Sequence, residues 1–347
     1  MSIFSGLSAF PLTPLDDDTV DEHAFAGLIE RLVDAGVDSV TALGSTGSGA
    51  YLSRSERALV ARRAVLTAGT TPVFVGISAL RTTHVLEHAE DAQDAGARGL
   101  MLAPVSYQPL TPDDVYRLFE TVAGQSDVPV IVYDNPTTTR FSFDDDLYAA
   151  VGALPGIASL KIPGVPAGAE AARARIDRLR ALLPAHVTIG VSGDAHAAAG
   201  LNAGCDAWYS VIAGTLPASA VALARAGFSG DTEEARRLSS ELQRCGRRSR
   251  NTAVCGSSRR SRSTSASSTR EAFRCRSSAW TTRHARVCTP CSLTSVSVDP
   301  TRARSDEHDT AAAPRRQRAG PDGARTGRPD VHGRSRCSVR GRPTDPR

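Results

Sequence analysis

Short apolar runs alternate with longer amphipathic stretches through residues 1–243 of the chain. The runs are Gly6–Phe10, Val37–Leu43, Pro72–Ile77, Gly99–Ala103, Pro129–Tyr133, Ile157–Ile162, Val187–Val191 and Ala207–Ile212, each five to seven residues long. Several are rich in Val and Ile and end in Gly, Ser, Asn or Pro, as strands buried on both faces of a parallel sheet should. The stretches between them carry a helical period. Asp21–Ala35 puts Phe25, Leu28, Ile29, Leu32 and Val33 on one face, and Gly36 follows as a stop. Ser-Arg-Ser-Glu from Ser53 fits a capping box before Ala58–Leu66, and Thr111-Pro112-Asp113-Asp114 fits an N-cap followed by proline and acidic residues in a first turn. Arg173–Leu183, Leu216–Ala226 and Asp231–Gln243 read as further helices.

Eight strands, each followed by a helix, predict a (β/α)8 barrel over residues 1–229, with a helical C-terminal region beginning at 230–243. A doubly wound open sheet is the alternative and usually needs fewer strands. No apolar run reaches the length of a membrane-spanning helix. The first residues lack a basic, cleavable leader, and the folded part holds one cysteine, Cys205; a cytoplasmic protein is expected.

Charge divides the chain. Residues 1–243 contain 17 Lys+Arg against 29 Asp+Glu, whereas residues 244–347 contain 24 Arg against 8 Asp+Glu. The second segment holds only eight Val, Leu, Ile and Phe in 104 residues, too few for a core, so it is expected to be disordered. Three readings of it stay open: a frameshift product or unstructured tail, the favoured one, since the change falls inside an apparent helix; an arm that binds nucleic acid; and, least favoured, a zinc half-site at Cys288-Thr-Pro-Cys291 with His284 nearby, whose next candidate ligands, His332 and Cys337, lie far along the chain. An inactive barrel would follow from a frameshift.

The candidate chemistry centres on Lys161, the only lysine among 41 basic residues. Alternation along Ile157–Ile162 puts Ser159, Lys161 and Pro163 on the face towards the barrel interior and Ala158, Leu160 and Ile162 on the face towards the helices. A dry, unpaired ammonium is costly, so burial favours the neutral amine, a nucleophile towards carbonyls that an arginine cannot replace. Tyr133, at the end of the neighbouring strand, has the inward parity to reach it and to move protons. The loop Leu43-Gly44-Ser45-Thr46-Gly47-Ser48-Gly49 can bring successive N–H groups against a carboxylate.

Gly44-Ser-Thr-Gly47, Tyr133-Asp-Asn-Pro136, Leu160-Lys-Ile-Pro-Gly164 and Ser192-Gly-Asp194, in this order, resemble the dihydrodipicolinate synthase and N-acetylneuraminate lyase family of pyruvate-dependent class I aldolases. The resemblance implies a barrel with a helical C-terminal region and no metal or organic cofactor. It implies that Lys161 forms a Schiff base with pyruvate, that Tyr133 transfers protons, and that Ser45 and Thr46, between Gly44 and Gly47, bind the carboxylate and relay protons. Tyr107 matches a tyrosine inserted into a neighbouring subunit's site, so a homodimer or homotetramer is expected, and Tyr209 matches a position whose backbone carbonyl lies beside the nucleophile.

Three positions depart from the biosynthetic pattern. Ser48 stands for an acidic residue, Ser106-Tyr107 for a tyrosine pair, and Thr138 for the arginine that grips the second substrate. Arg140 lies two residues on, a shift of about 7 Å if the segment is β-like. The pyruvate half is thus intact and the aldehyde half altered, which leaves both 4-hydroxy-tetrahydrodipicolinate synthesis and another 4-hydroxy-2-oxo acid open. Of the histidines, His84 and His88 are expected to face solvent, and His196 to reach the barrel mouth, where with Asp194 it would serve a rival metal-dependent aldolase.

Overall fold

The computed structural model describes residues 2–257, with side chains described as far as Arg244. Eight parallel strands close into a barrel: β1 (Gly6–Ala9), β2 (Ser39–Ala42), β3 (Val73–Gly76), β4 (Gly99–Leu102), β5 (Val130–Tyr133), β6 (Ile157–Ile162), β7 (Thr188–Ser192) and β8 (Ala207–Ser210). Each pairs with the strand before and after it, and β8 closes on β1. The helices that follow them are α1 (Glu22–Asp34), α2 (Arg54–Ala68), α3 (Thr82–Asp94), α4 (Pro112–Gly124), α5 (Asp145–Gly152), α6 (Ala169–Leu182), α7 (Ala197–Asn202) and α8 (Pro217–Phe228), and α9 (Thr232–Ser257) packs beyond them. A (β/α)8 barrel is therefore the fold, not an open sheet.

Local chemistry sets the helix ends. The Asp21 side chain accepts from the Ala24 N–H at the start of α1, and Gly36 takes up the left-handed conformation just past its end. Ser53 and Glu56 form the reciprocal capping box of α2, and Thr111 with Asp114 forms another ahead of Pro112 in α4. The helix expected from Arg173 begins earlier, at Ala169, and the helix expected to end at Gln243 runs on to Ser257, into the segment expected to lack structure. Residues 258–347, with the cysteine pair and most of the basic segment, lie outside the described residues.

Two apolar layers hold the barrel. The outer one lies between strands and helices and takes in Phe25, Ile29 and Leu32 of α1, Val60 of α2, Phe119 of α4 and Trp208 of β8. Each such aliphatic side chain fully removed from water contributes about 1.5–3 kcal/mol. The inner layer fills the lumen with Phe4, Phe10, Phe74, Met101, Ile131, Ala207 and Tyr209, and Phe4 stacks on Phe74 at 4.9 Å between ring centroids. One face differs from simple alternation. A register shift sets Ile157 opposite Val130 but Ser159 opposite Ile131, so Ala158 is an extra residue and packs against the lumen rather than the helices.

Among the described residues no helix is long and apolar enough to cross a membrane.

Candidate active site

The register of β5 and β6 puts Tyr133 directly beside Lys161 at the C-terminal end of the barrel, the end at which barrels of this kind carry their chemistry. Lys161 is 3% exposed. Its Nζ lies 3.3 Å from the centroid of the Tyr133 ring and 4.5 Å from that of Phe10. Among the described residues it makes no ion pair, and burial holds its pKa well below the ordinary lysine range, with the charge of Asp194 opposing that shift. The amine is therefore dry and without a locking carboxylate.

Tyr133 is half-buried. Burial raises its pKa and a hydrogen bond with Ser45 lowers it. Its hydroxyl accepts from Asn135 Nδ2 at 2.9 Å, which leaves the phenol proton free to point elsewhere. Behind it the Tyr148 hydroxyl donates to Asp134 Oδ2 at 2.6 Å and ties the strand end to α5. Burial raises the pKa of Asp134, against that bond.

The loop after β2 closes over the same place. Ser45 is exposed, Thr46 is half-buried, and Gly44 and Gly47 are buried. A Cβ on Gly44 would come within 3.0 Å of the Phe10 ring, the ring that also flanks the amine. Leu43 (φ 59°) and Ser48 (φ 57°) are both left-handed, an uncommon conformation for side chains other than glycine or asparagine. Thr13 Oγ1 donates to the Gly47 carbonyl at 2.7 Å and fixes the far side of the turn.

Other expected residues divide. Tyr209 is inside the barrel, sharing a 2.7 Å hydrogen bond with Ser159 and lying edge-on to Phe10. Tyr107 is 90% exposed. Thr138 accepts from Asn135 at 2.9 Å. The segment expected to be β-like is a helical turn, Pro136–Thr139, because Pro136 opens it at N1; Arg140 ends it in the left-handed conformation (φ 57°) and is exposed. Strand spacing therefore does not measure the offset between Thr138 and Arg140. His196 is exposed, with its ring against Gly164. Asp194 has both oxygens engaged, by Ser210 Oγ at 2.9 Å and the Ile212 N–H at 3.0 Å, and burial raises its pKa. Among the described residues no three His, Cys, Asp or Glu side chains converge. His84 is exposed as expected, but His88 is not: it turns into the α2–α3 crevice, and burial first, then Arg57, pushes its pKa down to about 4.

Phe10, Asn135 and Arg57 were not among the expected site residues. Phe10 lies at the end of the first apolar run and has the signature of any core residue. Arg57 lies between the capping box from Ser53 and the expected helix Ala58–Leu66, where nothing in the sequence sets it apart from other helix arginines.

The chain matches the model of the Dihydrodipicolinate synthetase family over residues 3–253. It belongs to that family. Its fold and its lyase class, of the aldolase type, follow from the membership. It is 28% identical over 243 residues to a 4-hydroxy-tetrahydrodipicolinate synthase of Rickettsia akari (strain Hartford), a match covering 70% of this chain and 80% of the relative. Among solved structures, a dihydrodipicolinate synthase from Agrobacterium tumefaciens str. C58 is 46% identical with a TM-score of 0.67, over 70% of this chain and 81% of that one. A putative dihydrodipicolinate synthetase from Pseudomonas aeruginosa is 30% identical with a TM-score of 0.63, over 68% and 80% respectively.

Proposed function

We propose that the chain forms a Schiff base between Lys161 and pyruvate and either condenses the resulting enamine with an aldehyde or cleaves a 4-hydroxy-2-oxo acid. The observation that carries this is the desolvated Nζ, without an ion pair among the described residues, set against the Tyr133 ring. A neutral amine attacks the 2-oxo carbon, and water leaves as the iminium forms. The iminium draws electrons from the neighbouring methyl group, which loses a proton to give the enamine. The enamine carbon bonds to the aldehyde carbon, the aldehyde oxygen takes a proton, and hydrolysis of the new iminium frees the lysine.

Each step moves a proton near the same nitrogen. Tyr133 is the group within reach, and its link to Ser45 opens a route to the mouth of the barrel. The carboxylate of pyruvate falls to Ser45 and Thr46, whose N–H groups and hydroxyls border the Gly44–Gly47 turn. In this reading Tyr107 serves a neighbouring subunit and the Tyr209 carbonyl borders the nucleophile.

Trapping tests the reading. Borohydride with labelled pyruvate should mark the peptide that contains Lys161, and Lys161→Arg should abolish the mark. Undiminished labelling of the arginine variant would remove Lys161 from the mechanism.

A second reading, 4-hydroxy-tetrahydrodipicolinate synthase itself, draws on the names of relatives such as the Rickettsia akari protein. Against it stands Thr138, neutral and held by Asn135 where an arginine would grip the carboxylate of aspartate semialdehyde. Turnover of pyruvate with aspartate semialdehyde, compared with uncharged hydroxyaldehydes, separates the two. We expect the loss of that cation to lower the preference for the charged aldehyde.

A further inference from the structure

We propose that Arg57 is a positioning residue for the pyruvate carboxylate, acting through the Leu43–Gly49 loop. The proposal rests on the pyruvate reading above. Arg57 sits in α2 and is 5% exposed, yet among the described residues it has no carboxylate in ion-pair range. Its guanidinium is spent on backbone: Nη1 donates to the Gly49 carbonyl and Nη2 to the Gly76 carbonyl at 2.7 Å. These two carbonyls belong to the end of the carboxylate loop and to the end of β3. One side chain thereby pins the loop to the barrel wall.

The packing around the clamp explains why it is needed. Leu43 is left-handed, and its carbonyl is wedged between two glycines: a Cβ on Gly49 would lie 2.4 Å from that oxygen and one on Gly76 2.3 Å from it. A leucine held in that conformation costs about 1–3 kcal/mol unless its surroundings over-determine it. The carbonyl on either side of the wedge is held by the same guanidinium. A planar guanidinium presents fixed donors to both carbonyls at once, whereas an ammonium is a compact donor without that preset geometry. Behind the guanidinium, Arg57 and His88 line one small cavity between α2 and α3, and Arg57 Nε and His88 Nδ1 have no hydrogen-bond partner among the described residues. The fork is thus aimed at the loop, not at the helix surface where Arg54 gathers Glu87, Glu90 and Asp91.

Releasing the clamp should let Ser45 and Thr46 drift from the carboxylate while Lys161, on a different strand, stays competent. The test is the pyruvate concentration that half-saturates borohydride trapping in wild type, Arg57→Lys and Arg57→Ala, with circular dichroism to confirm folding. We expect half-saturation to rise about tenfold or more in both variants with the same maximal labelling of Lys161, and methylguanidinium to bring Arg57→Ala back towards wild type. Half-saturation within twofold of wild type in folded Arg57→Lys would overturn the proposal, as would a loss confined to maximal labelling. If Arg57→Ala does not fold, Arg57→Lys decides alone. Wild type that cannot be trapped sinks the pyruvate reading itself; wild type that is trapped, with unshifted variants, sinks only the role of Arg57.

Discussion

At Lys161 two requirements meet on one atom: strand alternation turns the side chain into the lumen, and the lumen is lined by aromatic rings that exclude water. The cost of that burial has a sign that can be measured. A lysine whose pKa is lowered on folding binds fewer protons native than unfolded, so its share of stability grows as pH rises towards the ordinary lysine value and falls away as pH drops. Lys161→Met should therefore raise the melting temperature at neutral pH, and the gain should shrink as pH climbs towards 10; a gain that is flat with pH would place the amine in water. Tyr133→Phe keeps the ring and removes the proton carrier. Turnover should fall by about 10²–10⁴ while borohydride still labels Lys161. The placement of Lys161 and Tyr133 side by side in the lumen was legible because strand alternation is a property of single positions. Arg57 and His88 were not: each sits on a helix with polar neighbours, and only the crevice between α2 and α3 distinguishes them from solvated residues.

Among the elements, the strands were the most legible because the apolar runs are short and several end in turn residues. Helix starts were legible where a side chain caps them, as at Asp21, Ser53 and Thr111. Alpha6 began earlier than expected because Gly168 precedes it with no side-chain cap to mark the start. The extra residue at Ala158 left no mark in the sequence, since an alanine suits either face of β6; the shift belongs to the pairing with β5. Ser53→Ala, which removes one arm of the α2 box, should lower stability by about 1 kcal/mol in urea unfolding with little change in pyruvate dependence. Gly76→Ala makes the contrast. Its Cβ would meet the Leu43 carbonyl at 2.3 Å, backbone that cannot swing aside, so both stability and half-saturation by pyruvate should suffer.

The barrel is polarised along its axis. The C-terminal strand ends carry the amine, the phenol and the Leu43–Gly49 loop, whereas the opposite end holds structural contacts: Asp206 accepts from the Ile189 N–H at 2.8 Å and pairs with Arg180 at 3.1 Å. Asp206→Asn should cost stability without shifting the pyruvate dependence of trapping, and a shift as large as that expected for Arg57 would contradict the polarity. Alpha9 buries Ala235, Ser239 and Leu242, and Gln243 Nε2 donates to the Ala195 carbonyl at 3.3 Å. The charge reversal of the sequence therefore falls after the last docked residues described, in a helix that continues to Ser257. The central claim is that the carbon of a keto acid bonds to this lysine nitrogen. A crystal soaked in pyruvate measures it most directly: the account predicts continuous electron density from Lys161 Nζ to the substrate, with the carboxylate against Ser45 and Thr46, and an unmodified lysine beside a separate or distant pyruvate would contradict it.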